Sequence, residues 1–341
     1  MIPVPENQPI PSIIELNKDM EPYVIQSARA RSSVFEDKFR PIQFVHFSDI
    51  HWYTELWNRV MEYINYYSDT IEFAIHSGDY CGTTQENYID LYNTGTKCVR
   101  PVLNCVGNHD CYDETMGKLS PDPSKARELC FNYTKDWDVN FMKVEHSMSY
   151  YKDFEDANMR LIVLDCYYHL EEQFKWLKEL LDDAREKEIH VMTVSHEPTH
   201  PCTGPNDIHF QPYDEWHYAY SAKRGINKEH EFDHIIADFK KAGGIHICHL
   251  AGHEHSNFFS FTEHGVLNCA VEKASAWQGC RWIDSHRIRG TKTYDAFNVV
   301  TVDTNMHMLK LVKIGNNVDL YLRSRKTLCW DYINNKVISH T

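Results

Sequence analysis

The chain has 341 residues, 42% of them hydrophobic, and a formal charge of −14. That length and apolar content supply one large core or two small ones, and 20 Tyr, 16 Phe and 8 Trp exclude a largely disordered chain. Net acidity excludes broad electrostatic capture of nucleic acid or anionic membranes and leaves room only for a local basic patch.

The eleven Cys are scattered, form no Cys-x-x-Cys pair, and several (Cys105, Cys166, Cys248) lie inside apolar runs. Buried reduced thiols of a cytoplasmic protein are the expectation. The first residues lack a basic stretch followed by an apolar one, so no signal peptide is read there. No apolar run is long enough to cross a bilayer.

In chain order, residues 1–40 read as a lead-in segment whose first dozen are Pro-rich and extended. A domain then spans 41–315, and 316–341 form a C-terminal extension packed on it. The core opens with a strand at Ile42–Phe47. Glu55–Ser68 carries Leu56, Val60, Tyr63, Ile64 and Tyr67 at helical spacing, and precedes a strand at Ile71–Ile75. A helix over Glu86–Thr94 leads to a strand at Val102–Val106. Ser120–Ser124 is a loop, and Lys125–Tyr133 is helical. Met148–Lys152 and Arg160–Asp165 form a hairpin. Glu171–Lys187 is an amphipathic helix with Phe174, Leu177, Leu180 and Leu181 on one stripe. A strand at Ile189–Val194 follows. Glu231–Lys241 is a helix stopped by Gly243-Gly244, and Ile245–Ala251 is the next strand. Short strands follow at Asn257–Thr262, Val266–Val271, Ala296–Val302 and Met308–Ile314.

Five of the apolar runs end in residues that bind metals. They are followed by Asp49-Ile50-His51, Gly78-Asp79, Gly107-Asn108-His109-Asp110, Ser195-His196 and Gly252-His253-Glu254-His255. Such runs read as strands of a mostly parallel sheet, and ligands collect at the carboxyl ends of such strands. Asp, Asn and His together suit divalent transition metals of borderline hardness. Two such ions about 3.5–4 Å apart clamp a phosphate and generate hydroxide near neutral pH.

Taken singly, each motif has a structural reading: a turn for Gly-Asp or Gly-Asn, a surface His for Asp-x-His, a satisfied core His for His196. Five in order, each after an apolar strand, point to one converged site. The set Asp-x-His, Gly-Asp, Gly-Asn-His-Asp, His, Gly-His-x-His resembles the calcineurin-like metallophosphoesterase superfamily over roughly residues 42–271. The resemblance implies an α/β protein built as a four-layer α/β/β/α sandwich, with the strands after residue 252 completing its second sheet. It implies that Asp49, His51 and His255 hold one metal, that Asn108, His196 and His253 hold another, and that Asp79 bridges them. His109 is left unligated as the catalytic proton donor, with Asp110 a candidate for orienting it. The cofactors implied are two divalent ions, Mn²⁺ ahead of Fe and Zn. The reaction implied is hydrolysis of small phosphodiesters or phosphomonoesters by a hydroxide bridging the metals.

His196-Glu197-Pro198-Thr199-His200 also matches the zinc-protease pattern His-Glu-x-x-His. That chemistry needs both His on one helical face, and Pro198 after a strand disfavours the helix. His246 and His249 read as structural. Residues 200–224, rich in His and aromatics, read either as a substrate-shaping segment or as a structural excursion packed on the core, and the cations Arg281, Arg287, Arg289 and Lys292 within 280–292 read either as contacts for phosphate oxygens or as a solvated basic face. Gly78-Asp79-Tyr80-Cys81-Gly82 lacks the Asp-Arg extension of family protein Ser/Thr phosphatases and the metal-bound Tyr of purple acid phosphatases. The simple motif set looks more like bacterial and phage phosphodiesterases and repair nucleases. The partner expected is a small phosphoester. A nuclease of the same superfamily is the first rival, disfavoured by net acidity, and a binding scaffold the second, disfavoured because no ligand is missing.

Overall fold

The computed structural model describes residues 9–29, 38–80, 91, 93–113, 118–119, 124–199, 230–255, 257–262, 264–274, 287–316 and 327–340. Its helices are α1 (Ile13–Leu16), α2 (Glu21–Arg29), α3 (Thr54–Tyr66), α4 (Ser124–Thr134), α5 (Leu170–Glu186) and α6 (Glu231–Lys241). Its strands are β1 (Ile42–Phe47), β2 (Phe73–His76), β3 (Val102–Asn104), β4 (Tyr112–Asp113), β5 (Lys118–Leu119), β6 (Asn140–Phe141), β7 (Tyr150–Phe154) and β8 (Met159–Val163). Then come β9 (His190–Val194), β10 (Ile245–Ala251), β11 (Phe258–Phe261), β12 (Leu267–Ala270), β13 (Ala296–Asp303), β14 (Met308–Gly315), β15 (Thr327–Asp331) and β16 (Lys336–His340).

Two seven-stranded sheets face each other, in the orders β16-β15-β14-β13-β1-β2-β3 and β11-β12-β10-β9-β8-β7-β6. Alternation along β1 shows how the layers form, because successive side chains of a strand point to opposite faces. Ile42 and Phe44 join a core with Met192, Val194, Ile247 and Leu250 of the other sheet. Val45 and Phe47 point the other way, to Ile13 and Met20 near the chain start and to Trp57, Val60 and Ile64 of α3. On the far side, Ile162 and Val191 meet Phe174 and Leu177 of α5 and Phe232 and Ile236 of α6. The result is an α/β/β/α sandwich with three apolar interfaces.

The apolar runs before the five motifs read as strands of one mostly parallel sheet, but they divide between the two sheets of the sandwich. β1, β2 and β3 are parallel in one sheet, and β8, β9, β10 and β12 are parallel in the other. β13 lies antiparallel against β1. It is buried along its whole length nonetheless, since a sandwich strand is covered on both faces whatever its direction, and an apolar run does not reveal which. The strands after residue 252 are therefore shared: β11 and β12 extend the second sheet, while β13 to β16 extend the first. The helical reading holds for Glu55–Ser68, Lys125–Tyr133, Glu171–Lys187 and Glu231–Lys241, within two residues at each end. Within the lead-in segment, past its first dozen residues, stand α1 and α2, for which no helix was read, and Ile13, Met20 and Val24 are buried in the core they share with α3. Most of 86–94, the loop before Ser124 and residues 200–224 lie outside the described residues.

Candidate metal centre

The five loops at the carboxyl ends of β1, β2, β3, β9 and β10 meet at one edge of the sandwich. After β1 the chain runs beside the segment after β2: the N–H groups of Asp49, His51 and Trp52 donate to the carbonyls of Gly78, Asp79 and Tyr80 at 2.9, 3.1 and 2.7 Å. Left-handed backbone makes these tight turns possible. Five of the seven residues expected as ligands have positive φ: Asp49 (54°), His51 (43°), Asp79 (60°), His253 (66°) and His255 (58°). Each such residue costs on the order of 1–3 kcal/mol, and such strain clusters at functional sites.

Close approach of the loops depends on glycine. A Cβ on Gly107 would land on the Asp79 main-chain N and Oδ1, and a Cβ on Gly252 would land on Ser48 Oγ and 2.6 Å from Asp49 Oδ2.

All seven expected ligands come together. Asp49, His51, Asp79 and His255 form one group with ligand atoms within 4.8 Å of one another, and Asp79, His196 and His253 form a second. Asn108 joins the second group, its Oδ1 lying 3.0 Å from both His196 Nε2 and His253 Nδ1. One carboxylate oxygen faces both groups: Asp79 Oδ2 is 3.3 Å from His196 Nε2 and 4.0 Å from His51 Nε2. The other, Oδ1, accepts the main-chain N–H of His109 at 2.8 Å.

The donor atoms fit a pair of cations. His51 Nε2 lies 3.3 Å from His255 Nε2, and His253 Nδ1 lies 3.2 Å from His196 Nε2. Ligand atoms about 2.0–2.1 Å from a shared ion stand about 3.0–3.4 Å apart at octahedral to tetrahedral angles. Asp49 Oδ1 is buried with no hydrogen-bond partner among the described residues, and it points at His255 Nε2, 3.3 Å away. His196 Nδ1 donates to the Ser77 carbonyl at 2.7 Å, which fixes the tautomer and leaves the Nε2 lone pair for an ion.

The electrostatics also ask for positive charge. Burial pushes the Asp79 carboxyl up, but the charges of His196 and His109 outweigh it and hold the carboxyl well below the usual range. Burial likewise opposes ionisation of Asp49, and the nearby charges of His255 and His196 overcome it. Burial pushes His196 down, yet the charge and hydrogen bond of Asp79 push it up to about 10. His51, with burial dominant, is lowered to about 4.

His109 lies outside both ligand groups and sets its ring edge-on to His51, with centroids 4.9 Å apart. Asp110 turns toward the main chain of the Asp79 loop. Its Oδ2 accepts the N–H groups of Asp79 and Gly107 at 2.9 and 2.8 Å, and its Oδ1 that of Tyr80 at 2.9 Å. Sequence reading missed these bonds because their donors are backbone groups that every residue carries. Tyr80 points away from the centre, its hydroxyl donating to Asn104 Oδ1.

A family model described as calcineurin-like phosphoesterase matches residues 42–257. The chain belongs to the calcineurin-like phosphoesterase family. It is a metal-dependent phosphoester hydrolase. Among solved structures, a dimetal phosphatase from Danio rerio is similar with a TM-score of 0.50 at 13% identity, covering 85% of this chain and 99% of that one. A 5′-nucleotidase from Candida albicans is similar with a TM-score of 0.44 at 12% identity, covering 83% of this chain and 53% of that one. At 13% identity the likeness to the Danio rerio protein is one of fold. Comparison with curated proteins gives no match.

Other candidate residues have structural roles. Ser195–Thr199 contains no helix, so the His196-Glu197-x-x-His200 pattern lacks the helical face a zinc protease needs. His200 is outside the described residues. His246 and His249 are buried, both bonded to Thr193 Oγ1 at 3.0 and 2.9 Å. Of the 280–292 cations, Arg287 is buried against the Lys273, Ala274 and Tyr294 carbonyls. Arg289 pairs with Glu55, and Lys292 with Asp19. Arg281 lies outside the described residues. Of the eight described cysteines, six are buried. Among the described residues no helix is long and apolar enough to cross a membrane.

Proposed function

We propose that this family member hydrolyses small phosphodiesters or phosphomonoesters at a two-ion centre. In it Asp49, His51 and His255 would hold one ion, Asn108, His196 and His253 would hold the other, and Asp79, which belongs to both groups, would serve both. The reading is carried by one observation: Asp79 Oδ2 faces His51 on one side and His196 on the other. When bound, divalent ions supply Lewis-acid charge to the phosphoryl oxygens and the attacking water. Mn²⁺ is the ion proposed, because the donor set mixes carboxylate and amide oxygens with imidazole.

The protein's own groups do the rest. The Ser77 carbonyl orients His196. Main-chain bonding of His109 to Asp79 Oδ1 anchors the His109 backbone at the centre, where its side chain, as imidazolium, would protonate the leaving oxygen. The charge of −14 favours a small substrate over a nucleic acid, because a polyanion pays for approach along its whole length. Buried thiols support a reducing, cytoplasmic setting.

Side-by-side assays on bis-p-nitrophenyl phosphate, p-nitrophenyl phosphate, cyclic nucleotides and single-stranded DNA with Mn²⁺ test this reading. Turnover of the small esters that exceeds cleavage of DNA and vanishes on chelation is the expected result. Inactivity on every small ester, with rapid DNA cleavage, would replace it with the nuclease reading.

A further inference from the structure

Resting on that two-ion reading, we infer that Asp110 is a positioning residue for the centre: it fixes where the bridging carboxylate of Asp79 stands. Asp110 belongs to neither ligand group and is 1% exposed. Its carboxylate gathers three main-chain N–H groups from two loops, Asp79 and Tyr80 after β2 and Gly107 after β3, at 2.8–2.9 Å. A carboxylate offers about four acceptor sites and makes short charge-assisted bonds, so one side chain satisfies donors that burial would otherwise leave costly. No neutral side chain of similar size presents two acceptor oxygens.

The bonding closes on itself. Asp110 Oδ2 receives the Asp79 N–H at 2.9 Å, and Asp79 Oδ1 receives the N–H of His109, the residue covalently joined to Asp110, at 2.8 Å. Asp79 is thereby held at both ends, its main chain by Asp110 and its Oδ1 by the loop that carries Asp110. Only Oδ2 is left facing the two histidine groups. Asp79 also sits at a φ of 60°, a conformation that persists only where surroundings impose it. Asp110 supplies that constraint, and Gly107 lets it act, since a Cβ there would strike the Asp79 main chain.

The test is metal uptake by the stripped full-length chain, followed by calorimetry with Mn²⁺ and by the visible absorption of Co²⁺. It is run where circular dichroism shows the metal-free variants folded. Wild type should take up two ions. Asp110→Ala should bind both at least about tenfold more weakly, the scale of lost outer-sphere support, with an altered Co²⁺ spectrum. Asp110→Asn, which keeps one acceptor oxygen, should fall between and decides the matter if the alanine variant does not fold. A purely structural Asp110 would lower the melting temperature while leaving affinity and spectrum untouched, and that result overturns the inference. Asp79→Asn run in parallel separates the two ideas. If wild type binds two ions and only Asp79→Asn loses them, the role of Asp110 fails alone. If wild type binds fewer than two, the two-ion reading fails and takes this inference with it.

Discussion

The main-chain N–H of His253 donates to Asp49 Oδ2 at 3.0 Å. This bond ties the loop after β10 in one sheet to the loop after β1 in the other, so the candidate centre straddles both sheets. The other oxygen of Asp49 is left facing His255, 3.3 Å away. Packing between the sheets and geometry at the centre are thus one mechanical problem.

Gly252→Ala tests that coupling. The added Cβ falls on Ser48 Oγ and 2.6 Å from Asp49 Oδ2, so the loop must retreat and the His253–Asp49 bond must lengthen. We expect affinity for the ion assigned in our proposal to Asp49, His51 and His255 to fall by about ten- to a hundredfold, read by Mn²⁺ titration. Wild-type affinity would show that the loops have slack that this structure does not display.

Asp79→Asn removes the charge that faces both histidine groups. Elemental analysis after Mn²⁺ reconstitution should show losses at both sites rather than one. Retention of two ions per chain would rule out a bridging Asp79.

His109→Ala should keep both ions, because His109 stands outside the ligand groups. Loss of a positioned proton donor typically costs about 10²–10⁴ in rate. That cost should appear on alkyl phosphoesters and shrink on p-nitrophenyl esters, whose leaving groups need no proton. Equal losses on both substrates would argue for a different role.

A pH effect on stability follows from His190, at the opposite end of β9. Its Nδ1 bonds the Tyr332 hydroxyl at 2.6 Å. Burial first, and the nearby His307 charge second, lower it from 6.5 to about 4. The unfolded chain therefore takes up this proton before the folded one as pH falls. Stability from neutral His190 is complete above its unfolded value of 6.5 and is lost as pH drops toward 4. Buried His46 and His249, each lowered to about 3 by burial, add to the same trend. Urea midpoints of metal-free protein should fall between about pH 7.5 and pH 5, and less steeply in His190→Gln. Parallel slopes for the two proteins would remove His190 from the account.

The ligand motifs and their strands were readable because each occupies a short window: an apolar run, then Asp, Asn or His. Phe44 and Val45 differ in which layer they enter, and the apolar run of β1 forecasts that both are buried. Pairing was not readable. Nothing in Ala296–Asp303 says that it lies beside β1 rather than beside β12, because an apolar run records burial and not its neighbour. α1 and α2 escaped notice because their Pro-flanked segment is short and only part of it is apolar. Arg287 read as a phosphate contact or as part of a solvated basic face, and it is neither, bonding carbonyls inside the fold. The bonds of Asp110 were invisible because their donors are main-chain groups.

The placement of β13 against β1 has a consequence for biosynthesis. Every proposed ligand has been added to the chain once residue 255 is made, but the outer flank of β1 has no partner until residues 296–303 follow. Until then the strand leading to Asp49 and His51 is a bare edge, open to wrong pairing. The centre must wait for a stretch of chain that contributes nothing to its chemistry.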